Sequence, residues 1–212
     1  MLDLTRLFEN NRAWAERMTR DDPAFFLERS RAQTPHFLAI GCSDSRVPLE
    51  LLSGAAPGEM FVHRNVANQV FPADLNVLSV LEYAVEVLRV RHVLVVGHYG
   101  CGGVQAAMDA GQGQGLGLVD NWLGDVRDVQ RRHRDELRAL PTVDDRFNRL
   151  VELNVLHQVV NLARTPVVQS AWARDATPLL HGAVFDVRDG LLRSLVTAVD
   201  GNDKADALIP LA

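Results

Sequence analysis

The chain has 212 residues, 47% of them hydrophobic, and a formal net charge of −5. That length suits one ordinary α/β domain with ample core material. The acidic balance excludes the basic footprint that nucleic-acid binding needs. Two cysteines are too few for a disulfide framework, so their use points to metal in a reducing, cytoplasmic compartment.

Leu4, Leu7, Phe8, Trp14 and Met18 are spaced along one helical face. Asp3, Glu9 and Glu16 disfavour a mitochondrial targeting peptide, and no apolar run reaches signal-peptide or transmembrane character. Asp21-Asp22-Pro23 predicts a second helix start, with the helix running to about Gln33. Residues 1–33 then form an N-terminal helical arm. Phe37-Leu38-Ala39-Ile40 reads as a short buried strand that delivers Cys42. Phe61-Val62-His63-Arg64-Asn65 is a second strand. Val77, Val80, Leu81, Ala84, Val85 and Leu88 give Asn76 to Arg89 a helical period.

Val93-Leu94-Val95-Val96 is a continuous apolar run, typical of a parallel sheet covered on both faces, and it delivers His98. Gly102-Gly103 lets the chain turn tightly into a helix near Val104 to Met108. The stretch Gly111 to Gly117 follows a helix and lacks a Gly-Lys-Ser/Thr ending, so it reads as a surface connection rather than a phosphate loop. Helices are expected over 119–140 and 146–162. The basic run Arg131-Arg132-His133-Arg134 is interleaved with Asp128, Asp135 and Glu136, the pattern of a solvated helix face. Leu180 to Val187, the Asp189-Gly190 turn and Leu191 to Val196 read as a strand, a turn and a strand. The whole, residues 1–212, is expected to be a single α/β domain with a mostly parallel central β-sheet flanked by helices.

Both cysteines sit in chemically dense segments: Gly41-Cys42-Ser43-Asp44-Ser45-Arg46 and Gly97-His98-Tyr99-Gly100-Cys101-Gly102-Gly103. Taken singly, each cysteine is a small buried hydrophobe. Taken with His98, two thiolates and an imidazole make a borderline-soft set that suits one Zn²⁺ per chain. A structural zinc site closes with four ligands, whereas three leave a position open for catalysis. Asp44 is the conditional fourth ligand. Asp44 and Arg46 could form a surface pair worth little; beside a metal, the same pair becomes a switch over the fourth position. His36, His92, His133, His157 and His181 carry no motif support as ligands.

Cys42-Ser43-Asp44-Ser45-Arg46 followed by His98-x-x-Cys101-Gly102-Gly103 resembles the β-class carbonic anhydrases. Pro57-Gly58-Glu59, His63-Arg64-Asn65-Val66-Ala67-Asn68, Ser79 to Ala84, Glu152 to Val155, Gln169 to Trp172 and His181-Gly182 extend the likeness over about residues 1–200. It is most similar to the bacterial branch. The resemblance implies reversible hydration of CO₂ to bicarbonate by attack of zinc-bound hydroxide, with Asp44 and Arg46 catalytic. It implies a largely apolar substrate pocket drawing on Phe61, Val66, Tyr83 and Gly102, with the Gln33 amide reaching substrate across a subunit boundary. Backbone N–H groups near Gly102 and Gly103 would offset thiolate charge. Proton export would use Asp44 and buffer first, with His63 a weak candidate.

The same resemblance implies a homodimer or homotetramer with each active site at a subunit interface and the arm across the partner, and no nucleic-acid or membrane partner. Two other readings stay open on the motifs. One is a zinc hydrolase acting on CS₂ or COS; the other is a non-catalytic zinc-stapled scaffold. One departure stands out. Some bacterial relatives bind inhibitory bicarbonate through Trp, Arg and Tyr, and the corresponding positions here are Ala39, Arg64 and Phe185. Two anchors are gone, so regulation at that site is expected to be weak or absent.

Overall fold

Short β-branched runs bounded by turns build a five-stranded sheet in the computed structural model, which describes residues 3–109, 117–175 and 177–209. The strands are β1 (Phe37–Cys42), β2 (Met60–Asn65), β3 (His92–His98), β4 (Leu179–Asp186) and β5 (Leu191–Val199). Their order is β2-β1-β3-β4-β5. Strands β1 to β4 run parallel, and β5 returns antiparallel from β4. The fold is therefore the α/β sheet the sequence implies. Among the described residues, no helix is long and apolar enough to cross a membrane.

The helices are α1 (Leu4–Asp21), α2 (Phe25–Arg29), α3 (Leu49–Ser53), α4 (Leu75–Glu82), α5 (Gly102–Met108), α6 (Leu118–Trp122), α7 (Gly124–Arg132), α8 (Arg134–Ala139), α9 (Val143–Ala163), α10 (Pro166–Asp175) and α11 (Asn202–Asp206). The chain divides into two units, Met1–Thr34 and Pro35–Ala212. In the first, α1 and α2 meet through Trp14, whose ring lies 5.5 Å from that of Phe26 and edge-on to it. The second unit holds the sheet. Alternate strand residues feed its two faces. Leu38, Ile40, Val93, Val95, Leu180 and Val184 join the larger cluster with α9, while Ala39, Val96 and Phe185 join a smaller one with Val47 and Leu49.

Several sequence expectations change. The helix expected from Asp21 to about Gln33 is only Phe25–Arg29. Asp22 instead closes α1, and its Oδ1 accepts the Ala24 N–H at 3.0 Å, so the acidic cap serves a turn. Pro35 then holds the preceding residues out of helical geometry. The helix expected over 119–140 is three pieces, broken at Leu123 and at His133. The helix expected to Arg89 leaves α-geometry at Tyr83, where the Leu88 N–H bonds back to the Tyr83 carbonyl in a widened turn. Helices α3, α10 and α11 were not expected. The stretch Ala110 to Leu116, most of the glycine-rich connection, lies outside the described residues. The basic run behaves as read: Arg131 pairs with Asp128 and Arg134 with Asp135.

Helix α9 is the main support under the sheet. Thr142 and Asp145 form a reciprocal capping box at its start. Its Val155 lies against two strand glycines. A Cβ on Gly97 would come 2.5 Å from Val155 Cγ2, and one on Gly182 would come 2.9 Å from Val155 Cγ1. Glycine at these positions lets the helix approach the strand ends that carry His98. Gly97→Ala should therefore lower stability in urea unfolding by about 1–3 kcal/mol. A Val155→Ala background should recover part of that loss; equal losses in both backgrounds would show that helix approach is not what Gly97 provides.

Candidate metal centre

The parallel register of β1 and β3 pairs Gly41 with Val96. Cys42 ends β1 and His98 ends β3, so both emerge at the carboxyl edge of the sheet, where open parallel sheets place their sites. Cys101 follows three residues later, and Gly100, at φ 74°, makes the turn that brings it back. Cys42, His98 and Cys101 are all buried. Their donor atoms lie within 4.8 Å of one another, the one such grouping of His, Cys, Asp or Glu among the described residues.

Three observations show that this set fits a metal ion. Cys42 Sγ and Cys101 Sγ stand 3.8 Å apart; two sulfurs on a tetrahedral zinc, each at ~2.3 Å, would be separated by ~3.8 Å. His98 Nδ1 faces the Tyr99 carbonyl at 3.1 Å. A carbonyl can only accept, so Nδ1 carries the proton and Nε2 presents a lone pair. That Nε2 is buried with no hydrogen-bond partner, a costly state unless it ligates a cation.

The thiols supply the third observation. The contact with Cys101 pulls the Cys42 thiol down. The same contact, together with burial, pushes Cys101 up. The two shifts are tied to one shared contact, and a cation between the sulfurs would let both ionise. Backbone amides add to this. The Gly103 and Val104 N–H groups at the start of α5 point at Cys101 sulfur, close to the expected role of the Gly102-Gly103 turn. Gly102 itself is the first residue of α5.

Asp44 and Arg46 form a fixed pair beside this set. Asp44 Oδ1 accepts the Arg46 backbone N–H and Nε, each at 2.9 Å, and Oδ2 accepts Nη2 at 2.7 Å. The Arg46 hydrogen bonds hold the Asp44 carboxyl well below the usual carboxylate range. Arg46 Nη2 also donates to the Gly100 carbonyl at 3.1 Å, tying the first motif to the turn of the second. Asp44 Oδ2 lies 3.8 Å from His98 Nε2. Arg64 braces the same turn: its Nε donates to the Cys42 carbonyl at 2.9 Å and its Nη2 to the Asp44 carbonyl at 2.6 Å.

The remaining residues divide. Val66 is adjacent to the cluster, since a Cβ on Gly103 would come 2.9 Å from its Cγ1. Phe61 pairs with Leu38, four positions before Cys42 along β1, so it sits ~13 Å down the sheet at ~3.3 Å per residue. Tyr83 is with it, ring centroids 5.9 Å apart. Gln33 is exposed beyond α2 in the first unit. His63 is buried, which lowers its pKa, and its Nε2 meets Asn65. His92 pairs with His181, His133 with Glu136 and His157 with Asp125.

The carbonic anhydrase family profile matches residues 37–192. The chain is 47% identical over 190 residues to a carbonic anhydrase of Emericella nidulans, covering 90% of this chain and 82% of that one. Among solved structures, a Coccomyxa β-carbonic anhydrase in complex with acetazolamide superposes with a TM-score of 0.92 at 40% identity, covering 100% of this chain and 94% of that one. A tetrameric β-carbonic anhydrase from Sordaria macrospora gives a TM-score of 0.85 at 38% identity, covering 89% and 94%. The Emericella and Sordaria relatives are fungal, and they do not support the expected place in the bacterial branch.

Cobalt(II) titration should therefore give one ion per chain with intense thiolate-to-metal absorption. His98→Ala and Cys101→Ala should each lose stoichiometric binding. Full binding in both variants would remove the metal assignment.

Proposed function

The chain belongs to the β-class carbonic anhydrases, and from that premise we propose how its residues carry out the reversible hydration of carbon dioxide to bicarbonate and a proton. The observation that carries the assignment is the buried Cys42, His98 and Cys101 set with its unpartnered Nε2. These three residues would hold zinc. When bound, zinc supplies Lewis acidity that makes water nucleophilic near neutral pH.

Asp44 is the gate. With both oxygens on Arg46, its carboxylate lies 3.8 Å from His98 Nε2 and would leave the open position of a bound metal to water. Release from Arg46 would carry Oδ2 the short distance onto the site facing His98 Nε2 and exclude water. Proton export is assigned to Asp44 and buffer; because Arg46 holds the carboxylate in its ionised form, Asp44 would take up the product proton only with that pair open. His63 is poorly placed to help, being buried against Asn65.

Carbon dioxide is small and apolar, and Val66, packed over Gly103, suits a wall of its pocket. We assign Phe61, Tyr83 and the Gln33 amide to the same pocket, delivered by a second copy of the chain. The support is exposure: Val66, Phe71, Tyr83 and Val87 leave apolar surface on the sheet-bearing unit, and Leu4, Leu7 and Phe8 do so on α1. The tetrameric Sordaria macrospora relatives point the same way. A homodimer or homotetramer in which residues 1–33 act as an arm of one functional domain, 1–212, accounts for both surfaces. Two free buried thiols suit a reducing, cytoplasmic compartment.

Hydrolysis of CS₂ or COS and an inert zinc staple are both less favoured. Relatives in this family are carbonic anhydrases, and a staple has no use for an Asp44-Arg46 pair at its open position. Bicarbonate regulation at the second site is not supported either. Arg64 is committed to two carbonyls, while Ala39 and Phe185 fill an apolar cluster.

Stopped-flow CO₂ hydration on zinc-quantified protein, from about pH 6.5 to 9, tests the assignment. Wild type should be fast and Cys101→Ala inactive; a zinc-loaded wild type without hydration would overturn it. Asp44→Asn should lose about 10- to 100-fold in kcat with zinc content unchanged; full activity across that pH range would remove the gate. Bicarbonate should inhibit without cooperativity, and cooperative inhibition abolished by Arg64→Ala would restore the regulatory site.

A further inference from the structure

Behind the metal centre lies a buried amide network that the reaction itself does not use. After β2 the chain passes through Ala67 (φ 64°) and Asn68 (φ 47°), two successive left-handed residues that carry side chains. That conformation is costly away from glycine, so something must hold it. The Ala67 carbonyl accepts Asn154 Nδ2 from α9 at 3.1 Å. The Val70 N–H donates to Gln158 Oε1 at 2.9 Å, and the Val70 carbonyl accepts Asn161 Nδ2 at 3.0 Å. Trp122 Nε1 donates to the Val66 carbonyl at 2.7 Å.

The network has only one polarity. The Val70 N–H can only donate and the Asp125 carboxylate can only accept, so Gln158 must turn Oε1 to Val70 and Nε2 to Asp125 Oδ2, at 3.0 Å. The second Nε2 hydrogen goes to Asn154 Oδ1 at 2.9 Å. Asn154 must then present its NH₂ to Ala67. His157 Nε2 anchors the other Asp125 oxygen at 3.1 Å. Burial opposes the Asp125 charge, but the bonds from His157 and Gln158 hold that carboxyl below its ordinary range.

The far end of this relay reaches the metal set. The Ala67 N–H donates to Cys42 Sγ, as does that of Asp44, and Gly103, two residues past Cys101, packs closely against this turn: a Cβ there would come 2.9 Å from Val66 Cγ1 and 3.2 Å from Ala67 Cβ. We propose that Asn154 and Gln158 are positioning residues for the metal thiolate: by gripping the Ala67 carbonyl they hold the left-handed turn at Ala67 and Asn68, and that turn, with Trp122 on the Val66 carbonyl, presents the Ala67 N–H to Cys42 sulfur and reduces the charge that this ligand passes to the metal. Outer-shell hydrogen bonds of this kind set ligand basicity and orientation. The proposal rests on the metal reading above.

Cobalt(II)-substituted protein separates the two. Wild type must first show the thiolate-to-cobalt band; its absence would sink the metal reading itself. Asn154→Ala should retain one cobalt per chain, shift that band to longer wavelength, and weaken zinc affinity about 10- to 100-fold in chelator competition. Val159→Ala, a core truncation on the same helix with no tie to Ala67, should lose stability without moving the band. If Asn154→Ala does not fold, Gln158→Met, which removes the amide that orients Asn154, carries the same measurement. An unshifted band with wild-type zinc affinity, in whichever of the two folds, would overturn the proposal.

Discussion

The structure depends on the parallel register of β1 against β3. Pairing Gly41 with Val96 places two strand ends side by side, and each ends on a metal-binding side chain. A one-residue slip would move every side chain of a strand to the opposite face, taking Cys42 from the centre and burying Ala39 and Gly41 where Leu38 and Ile40 now pack. The core thus specifies the site: the same alternation that buries Leu38, Ile40, Val93 and Val95 fixes where the sulfur and the imidazole emerge. Gly97 and Gly182 complete the arrangement by letting Val155 close against the strands from below.

Around that register, two arginines do different work. Arg64 donates to the Cys42 and Asp44 carbonyls, so it fixes the backbone of the first motif. Arg46 donates to the Asp44 carboxylate and to the Gly100 carbonyl, so it fixes a side chain and joins the two motifs. An exposed ion pair alone contributes little to stability, and Arg46 is a largely exposed residue. Its value lies in geometry: a planar fork takes both carboxylate oxygens at once and leaves Asp44 one defined orientation.

The sequence made the site legible because its chemistry is local. Cys42, Asp44 and Arg46 lie within five residues, as do His98 through Gly102, and each segment follows a readable strand. Strands β1 and β3 were legible for the same reason, being short continuous apolar runs that lead into the two motifs. Helix limits were harder. Asp22 and Pro23 look like a start, but the residues beyond Arg29 carry no apolar stripe to pack. Between Val119 and Leu140 the periodicity persists through two breaks that only tertiary packing imposes. The amide network was illegible for a different reason. Asn154 and Gln158 are four residues apart on one helix, but Ala67, Val70 and Asp125 reach them only through the fold. Phe61 and Tyr83 show the limit of motif transfer: their register places them far from the cluster within one chain, so any role beside it requires a second copy.

Charge explains why so many donors converge on this edge of the sheet. Two thiolates and the Asp44 carboxylate carry three negative charges into a buried space; a divalent ion and the Arg46 guanidinium carry three positive ones, so the loaded site is formally neutral. Neutrality in sum is not neutrality at each atom. Thiolates give a bound metal more electron density than imidazoles would, which works against activation of water. The amides of Asp44, Ala67, Gly103 and Val104, directed at the two sulfurs, withdraw some of that density without adding a net charge. A lysine in their place would bring another desolvated ion, whereas an N–H fixed by the fold brings only a dipole. The strained turn at Ala67 and Asn68 is thus the conformation that the second amide donor to Cys42 requires, and α9, capped at Thr142 and buried along most of its length, is rigid enough to maintain it.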